Sequence, residues 1–256
     1  MSCDMSTLVM FVFNFNDVME VPKMGTIRYL SVSLAALCLI SSPVRADDLT
    51  DNFVRNIPNC GEVSDQISGL TSDLKTILEA KVPTALREIA QAVAVAYVKK
   101  GGFFVAIETG NGLIVVRNPD GWSNPTFTLL SSASFGWQAG LEAKTVVLVF
   151  TKRDAATKLL SGNLKLGAGL DLAVGPLAAD VNTRTVFNKE VYSYSDGVGL
   201  FAGLSLKGSS VSADPDYNEG LYGKLVSPSE IFSGIAKDQC RRATTSLREF
   251  LNQVTE

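Results

Sequence analysis

Apolar residues follow two different periods along this chain, and the change falls beside the Gly101-Gly102 pair. Before it the spacing is helical. Val63, Ile67, Leu70, Leu74, Ile77 and Leu78 recur every three or four residues, the repeat that lines one face of a helix. Pro83 interrupts that run. A second helix is predicted from Thr84, a suitable N-cap, with Leu86, Ile89, Ala90, Val93 and Tyr97 on one face. Lys99 and Lys100 fall at its expected C-terminal end, where the helix dipole favours cations, and Gly101-Gly102 is its expected stop.

Beyond the glycine pair the pattern is that of strands. Phe103–Ile107 and Leu113–Val116 read as a β-hairpin around a Gly110-Asn111-Gly112 turn, and Asn118-Pro119-Asp120-Gly121 is a second turn. Further strands are predicted at Thr126–Leu130, around Phe135, and at Thr145–Phe150, Leu164–Leu172, Val191–Ser195 and Leu200–Leu206. A short helix over Lys152–Leu160 should end at Gly162-Asn163. Another begins at Asp214-Pro215 and reaches Tyr222, and Ser227 or Ser229 caps a third. The last helix carries Ala236, Cys240, Ala243, Leu247, Phe250, Leu251 and Val254 on one side.

Seventeen of the 21 glycines lie between Gly101 and Gly223. Glycine weakens a strand unless the backbone bends there or something approaches it closely. The expected fold is therefore α+β: a curved, glycine-rich, partly closed antiparallel sheet flanked by N- and C-terminal helices.

Composition narrows the chemistry. An apolar content of 46% supports a buried core, and a net charge of −3 argues against a nucleic-acid partner. The chain has no histidine, which removes Ser-His-Asp and Cys-His catalysis and every histidine-ligated metal site. No Walker A, Gly-x-Ser-x-Gly or Cys-x-x-Cys motif occurs. Asp214-Pro215-Asp216-Tyr217-Asn218-Glu219 lacks the spacing of a calcium loop, and Asp214 as an N-cap explains it more simply. No catalytic residue, metal site or cofactor is predicted.

The N-terminus resembles an export signal. Residues 1–23 precede a second start at Met24. Residues 24–46 combine Arg28, the apolar run Leu30–Ile40 and small residues around Val44-Arg45-Ala46, which predicts cleavage after Ala46 and a periplasmic or secreted product. Cys60 and Cys240 then remain. Two readings stand for them: one disulfide, or a buried thiol at Cys240 on the apolar side of the last helix.

Several blocks carry a family resemblance. They are Ala90-Gln91-Ala92-Val93-Ala94, Gly101-Gly102-Phe103, Gly110-Asn111-Gly112, Gly121-Trp122-Ser123-Asn124-Pro125, Phe135-Gly136, Leu166-Gly167-Ala168, Val174-Gly175-Pro176, Gly199-Leu200-Phe201-Ala202-Gly203 and Tyr222-Gly223. In this order they resemble the SYLF-domain family, over roughly Leu86 to Phe232. Leu221 stands where relatives often have tyrosine. The expected organisation is a helical segment at 47–85, a SYLF-like domain at 86–234 and a C-terminal helix at 235–256.

The resemblance implies lipid binding. Eukaryotic members bind phosphoinositide membranes and some bind actin; exported bacterial members look like envelope proteins with affinity for anionic phospholipid. A peripheral lipid binder needs exposed cations beside apolar or aromatic groups. Lys99 and Lys100 near Tyr97 and Phe104, Arg117 beside Trp122, and Lys207 after an apolar strand are the candidates. The function expected is non-enzymatic, peripheral binding to an anionic phospholipid membrane, with an envelope scaffold or adhesion module binding a protein partner as the alternative.

Overall fold

The computed structural model describes residues 55–161, 165–167, 169–181, 185–196 and 208–255, with the backbone alone over 101–106 and 134–142. The signal segment, the Gly162-Asn163 helix stop, the Leu200–Leu206 strand and Lys207 lie outside the described residues.

Helix α1 (Cys60–Lys81) begins at Asn59, whose Oδ1 accepts from the N–H groups of Gly61 and Glu62 while Glu62 Oε2 accepts from Asn59 N–H. This reciprocal cap satisfies donors that the first turn leaves open. The helix buries the six apolar residues expected of it, each contributing about 1.5–3 kcal/mol. Pro83 follows, and the residue before a proline avoids helical geometry; the chain leaves the helix at Val82 with ψ 122°.

Helix α2 is only Thr84–Glu88, which corrects the expected run to Lys100. Strand β1 spans Ala92–Asn118. The reason lies in Ala92-Val93-Ala94-Val95-Ala96, which alternates with period two while also matching part of a helical repeat. Its β-branched valines lose less side-chain freedom on a pleated surface than in a helix. Gly101-Gly102 is therefore strand and not a helix stop.

The expected hairpin within 103–116 is also one strand. The chain reverses at Pro119-Asp120, between β1 and β2 (Gly121–Trp122), which pairs Asn118 with Gly121. Strand β3 (Thr126–Phe150) then runs antiparallel to β1 from Ile114↔Thr126 to Ala92↔Phe150, with a register shift between Gly102 and Phe104. It merges three expected strands into one.

Gly110 and Gly112 do not turn the chain. The strand folds over so that its second half rests on its first. A methyl group on Gly112 would sit 2.7 Å from Ala96 Cβ and 2.9 Å from Ala96 Cα, and one on Gly110 would sit 3.0 Å from Tyr97 O. Arg117 N–H donates to Gln91 O at 2.8 Å, bringing the two ends of β1 together. Glycine here permits backbone to touch backbone.

Helix α3 (Arg153–Leu160) follows β3, then the short strands β4 (Lys165–Leu166), β5 (Gly169–Leu170) and β6 (Leu172–Val174). Strand β7 (Val191–Ser195) pairs antiparallel with one end of β3, and β8 (Ser210–Ala213) with the other. Strand β6 joins β7 in parallel, giving a six-stranded sheet, while β4 and β5 form a separate pair. The fold is thus α+β, its sheet mostly antiparallel and not closed into a barrel, with helices at both ends.

Helix α4 (Pro215–Tyr222) is capped by Asp214, and α5 (Pro228–Phe232) by a Ser227–Glu230 capping box. Helix α6 (Arg241–Thr255) buries Ala243, Leu247 and Leu251 against the core; Ala236 and Cys240 are buried ahead of it. Between the folded halves of the hairpin lies an apolar void of about 20 Å³ lined by Ala94, Ala96, Val146 and Leu148, among others. That is room for about one water molecule, not for an acyl chain.

Candidate functional site

A strand sends successive side chains to opposite faces. The inner face of the β1–β3 hairpin buries Val98, Glu108, Leu130 and Lys144, and Ser132 Oγ donates to Glu108 Oε2 at 3.4 Å. On either side of the middle stretch, outward side chains are exposed at Tyr97, Lys99, Ile107, Thr109 and Asn111 on β1; Ala143, Ala133, Ser131 and Leu129 lie opposite the last four, while Thr145, opposite Tyr97, is buried and donates to Asp73 Oδ2 at 2.9 Å. Of the exposed residues here only Lys99 carries a charge. Tyr97 is 42% exposed, Ile107 60% and Leu129 38%. Lys99 Nζ stands 5.7 Å from the centroid of the Tyr97 ring, within cation–π range.

This arrangement separates two residues that the sequence pairs. Lys99 faces outward; Lys100 is half-buried on the other side of the strand, opposite Glu142 in register. Ile107 and Leu129 escape a reading of the sequence because their exposure depends on β1 and β3 being single long strands. The alternation around them is the signal that could have revealed it.

Arg117 and Trp122 are brought together, but inward. Trp122 is 4% exposed and its Nε1–H donates to Thr255 Oγ1 at 3.2 Å. The Arg117 guanidinium lies 5.3 Å from the Trp122 ring and donates to Glu88 O at 2.7 Å and Thr255 O at 2.8 Å. The expectation that Trp122 offers its ring to a membrane is therefore corrected. The pair fastens the last turn of α6 to α2 and the end of β1.

Asp214 accepts from the N–H groups of Asp216 and Tyr217, the capping role its position suggested. Arg55 pairs with Asp216 and Glu219, so two of that segment's acids are already engaged. Cys60 and Cys240 are joined by a disulfide, Cα to Cα 5.6 Å, across 180 residues of chain. Burial raises the Tyr222 phenol far above its ordinary value, and its O–H donates to Pro125 O at 2.7 Å. It acts as a neutral strut between α4 and the segment after β2. Among the described residues no group of histidine, cysteine and carboxylate side chains could hold a metal ion, and no helix is long and apolar enough to cross a membrane.

The open, helix-flanked sheet is that of a family of binding or adaptor-type domains. Comparison with known proteins gives the family: the chain belongs to the Ysc84/SYLF domain family. The family described as Ysc84, Las17-binding protein actin regulator, matches residues 131–254. SH3 domain-containing YSC84-like protein 1 of Homo sapiens is 32% identical over 180 residues, 68% of this chain and 52% of the relative. Its Rattus norvegicus counterpart is 31% identical over 179 residues, with the same two coverages. Protein YSC84 of Saccharomyces cerevisiae is 31% identical over 164 residues, 61% of this chain and 35% of the relative. The chain thus spans about half the length of the mammalian relatives. No solved structure matches it.

Proposed function

We propose that this protein binds anionic phospholipid without catalysing a reaction, and that it does so outside the cytoplasm, peripherally at an envelope membrane. The outward side chains of the hairpin carry the reading: exposed Tyr97 beside Lys99 on the first half of β1, and exposed Ile107 and Leu129 on the half that folds back over it, with no carboxylate among these residues. A tyrosine ring suits the membrane–water boundary, and a lysine near an anionic surface contributes about 1 kcal/mol. The void inside the sheet is too small to favour an internal lipid site. Export is supported by the signal-like segment at 24–46 and by a disulfide, a bond that persists in oxidising compartments. Mass spectrometry of protein recovered from the outside of cells should find a chain beginning at Asp47; one still carrying residues 24–46 would refute cleavage.

Sedimentation of the full chain with vesicles tests lipid binding. Recovery should be high with anionic vesicles and low with neutral ones; equal recovery with both removes the proposal. Lys99→Glu should weaken anionic binding roughly tenfold and flatten its salt dependence. Lys100→Glu should do much less, and Trp122→Phe should leave binding unchanged, because neither side chain belongs to the outer face.

A second reading is a domain that binds a protein partner. It is favoured by the description of the family and by LAS seventeen-binding protein 3 of Saccharomyces cerevisiae, a relative 29% identical over 159 residues. A partner that co-purifies and survives detergent would support it over the lipid reading.

A further inference from the structure

Two loops flank α5 and present the same pair of residue types. The first leaves α4 through Gly223 and carries Lys224 and Leu225; the second turns at Gly234 and carries Ile235 and Lys237. Leu225 is 64% exposed and Ile235 71%. Neither loop hangs free. Gln239 N–H donates to Leu221 O at 2.9 Å, and Ile235 N–H to Glu230 O at 3.1 Å. Ile231, Phe232 and Ala236 are buried beneath them. The fold thus fixes two aliphatic side chains in water on a firm base, which lowers the ordering needed when they meet a partner.

Cations outnumber carboxylates around the loops, four to two, and one of the two, Glu230, is held ionised by its Ser227 hydrogen bonds with a further contribution from Lys224. Lys224, Lys237, Arg241 and Arg242 are exposed, and none is in a salt bridge among the described residues. The two nearby carboxylates also take hydrogen bonds: Glu230 accepts from Ser227 N–H and Oγ–H, and Asp238 from Thr244 Oγ–H and Asn124 Nδ2–H. Arg241 and Arg242 also occupy the first turn of α6, which has no acidic residue. The Asp238 carboxylate, on Thr244 at the start of the helix, already meets the helix dipole there, so the two arginines are left to solvent.

We infer that the two loops form a second membrane-contact element, Leu225 and Ile235 entering the interface while Lys224 and Lys237 meet anionic headgroups. The inference rests on the lipid reading above but uses none of the hairpin residues. Two isolated aliphatic tips are too little for a stable protein interface, which buries about 800 Å² per partner around aromatic or arginine anchors. They suffice for an interfacial anchor, where a few apolar groups act together with surface cations.

The test uses the full chain and phosphatidylcholine vesicles with and without phosphatidylglycerol. Leu225→Ser with Ile235→Ser should weaken binding to the anionic vesicles about fivefold and leave the salt dependence in place. Lys224→Glu with Lys237→Glu should weaken it and flatten that dependence. Leu225→Trp supplies an independent readout that leaves the cations untouched: its emission should shift to the blue on vesicle addition and be quenched by brominated lipid. If the wild type binds anionic vesicles, both double variants match it within about twofold and the Trp signal stays unmoved, the inference falls while the hairpin reading survives. If the wild type binds no vesicle, both fall. Capture by a soluble acidic peptide with no vesicle binding assigns the loops to a protein partner and overturns the inference.

Discussion

Replacing Gly112 with alanine should destabilise the protein by about 3 kcal/mol, seen as a lower urea midpoint at an unchanged slope. The added methyl group would stand 2.7 Å from Ala96 Cβ and 2.9 Å from Ala96 Cα, closer than such atoms pack. Its nearest obstacle is the main-chain oxygen of Val95. A flexible side chain could swing aside, but a paired strand backbone cannot, so the two halves of β1 would have to separate. Gly69→Ala is the control. That glycine lies within α1 with nothing near the position of a new Cβ, and the change should stabilise by about 0.5–1 kcal/mol through helix propensity alone. Equal effects at the two sites would mean that β1 does not fold back on itself.

Loss of the Cys60–Cys240 bond should have an effect as large. The bond closes a loop of 180 residues, and a cross-link of that span restricts the unfolded chain enough to be worth about 5 kcal/mol in the chain-entropy view. Denaturation with and without reductant measures it directly. The reduced protein, and the Cys60→Ser/Cys240→Ser variant, should unfold at a markedly lower urea concentration and with a steeper slope, because the freed chain exposes more surface. Coincident oxidised and reduced curves would show that the thiols are not joined in the folded protein. Cys240 is 3% exposed, so burial and bonding, two alternatives on sequence grounds, coexist at this position.

The helices were the most legible part of the sequence. In α1 the apolar repeat matches the buried face, Asp214 caps α4 as expected, and of the two serines offered for α5 the structure uses Ser227. Strand β1 was harder, since Ala92–Val98 fits both repeats and only the pairing with β3, from Ala92↔Phe150 to Val98↔Lys144, decides between them. The Gly110 and Gly112 positions show a deeper ambiguity. A glycine required for a turn and one required for close approach look the same in sequence, and only tertiary packing separates them. Of the candidate contacts, Lys99 is exposed on the outer face, Lys100 is on the other side of the strand, Trp122 is buried, and half-buried Arg117 is held against its ring. Exposure belongs to the fold; residue type alone could not assign it. The Leu225 and Ile235 tips went unnoticed for the opposite reason, since two separated aliphatic residues form no periodic pattern.

The clamp made by Trp122, Arg117 and Thr255, with the bond from Cys60 to Cys240, joins regions that are far apart in sequence. A topology of that kind has high contact order, and high contact order slows folding because distant segments must meet before their contacts reward the entropy lost. The long hairpin, whose strands follow one another, can form early. Its closure by α6 must wait until the far end of the polypeptide is present, and until then the groove that will receive that helix stays open to chaperones and proteases.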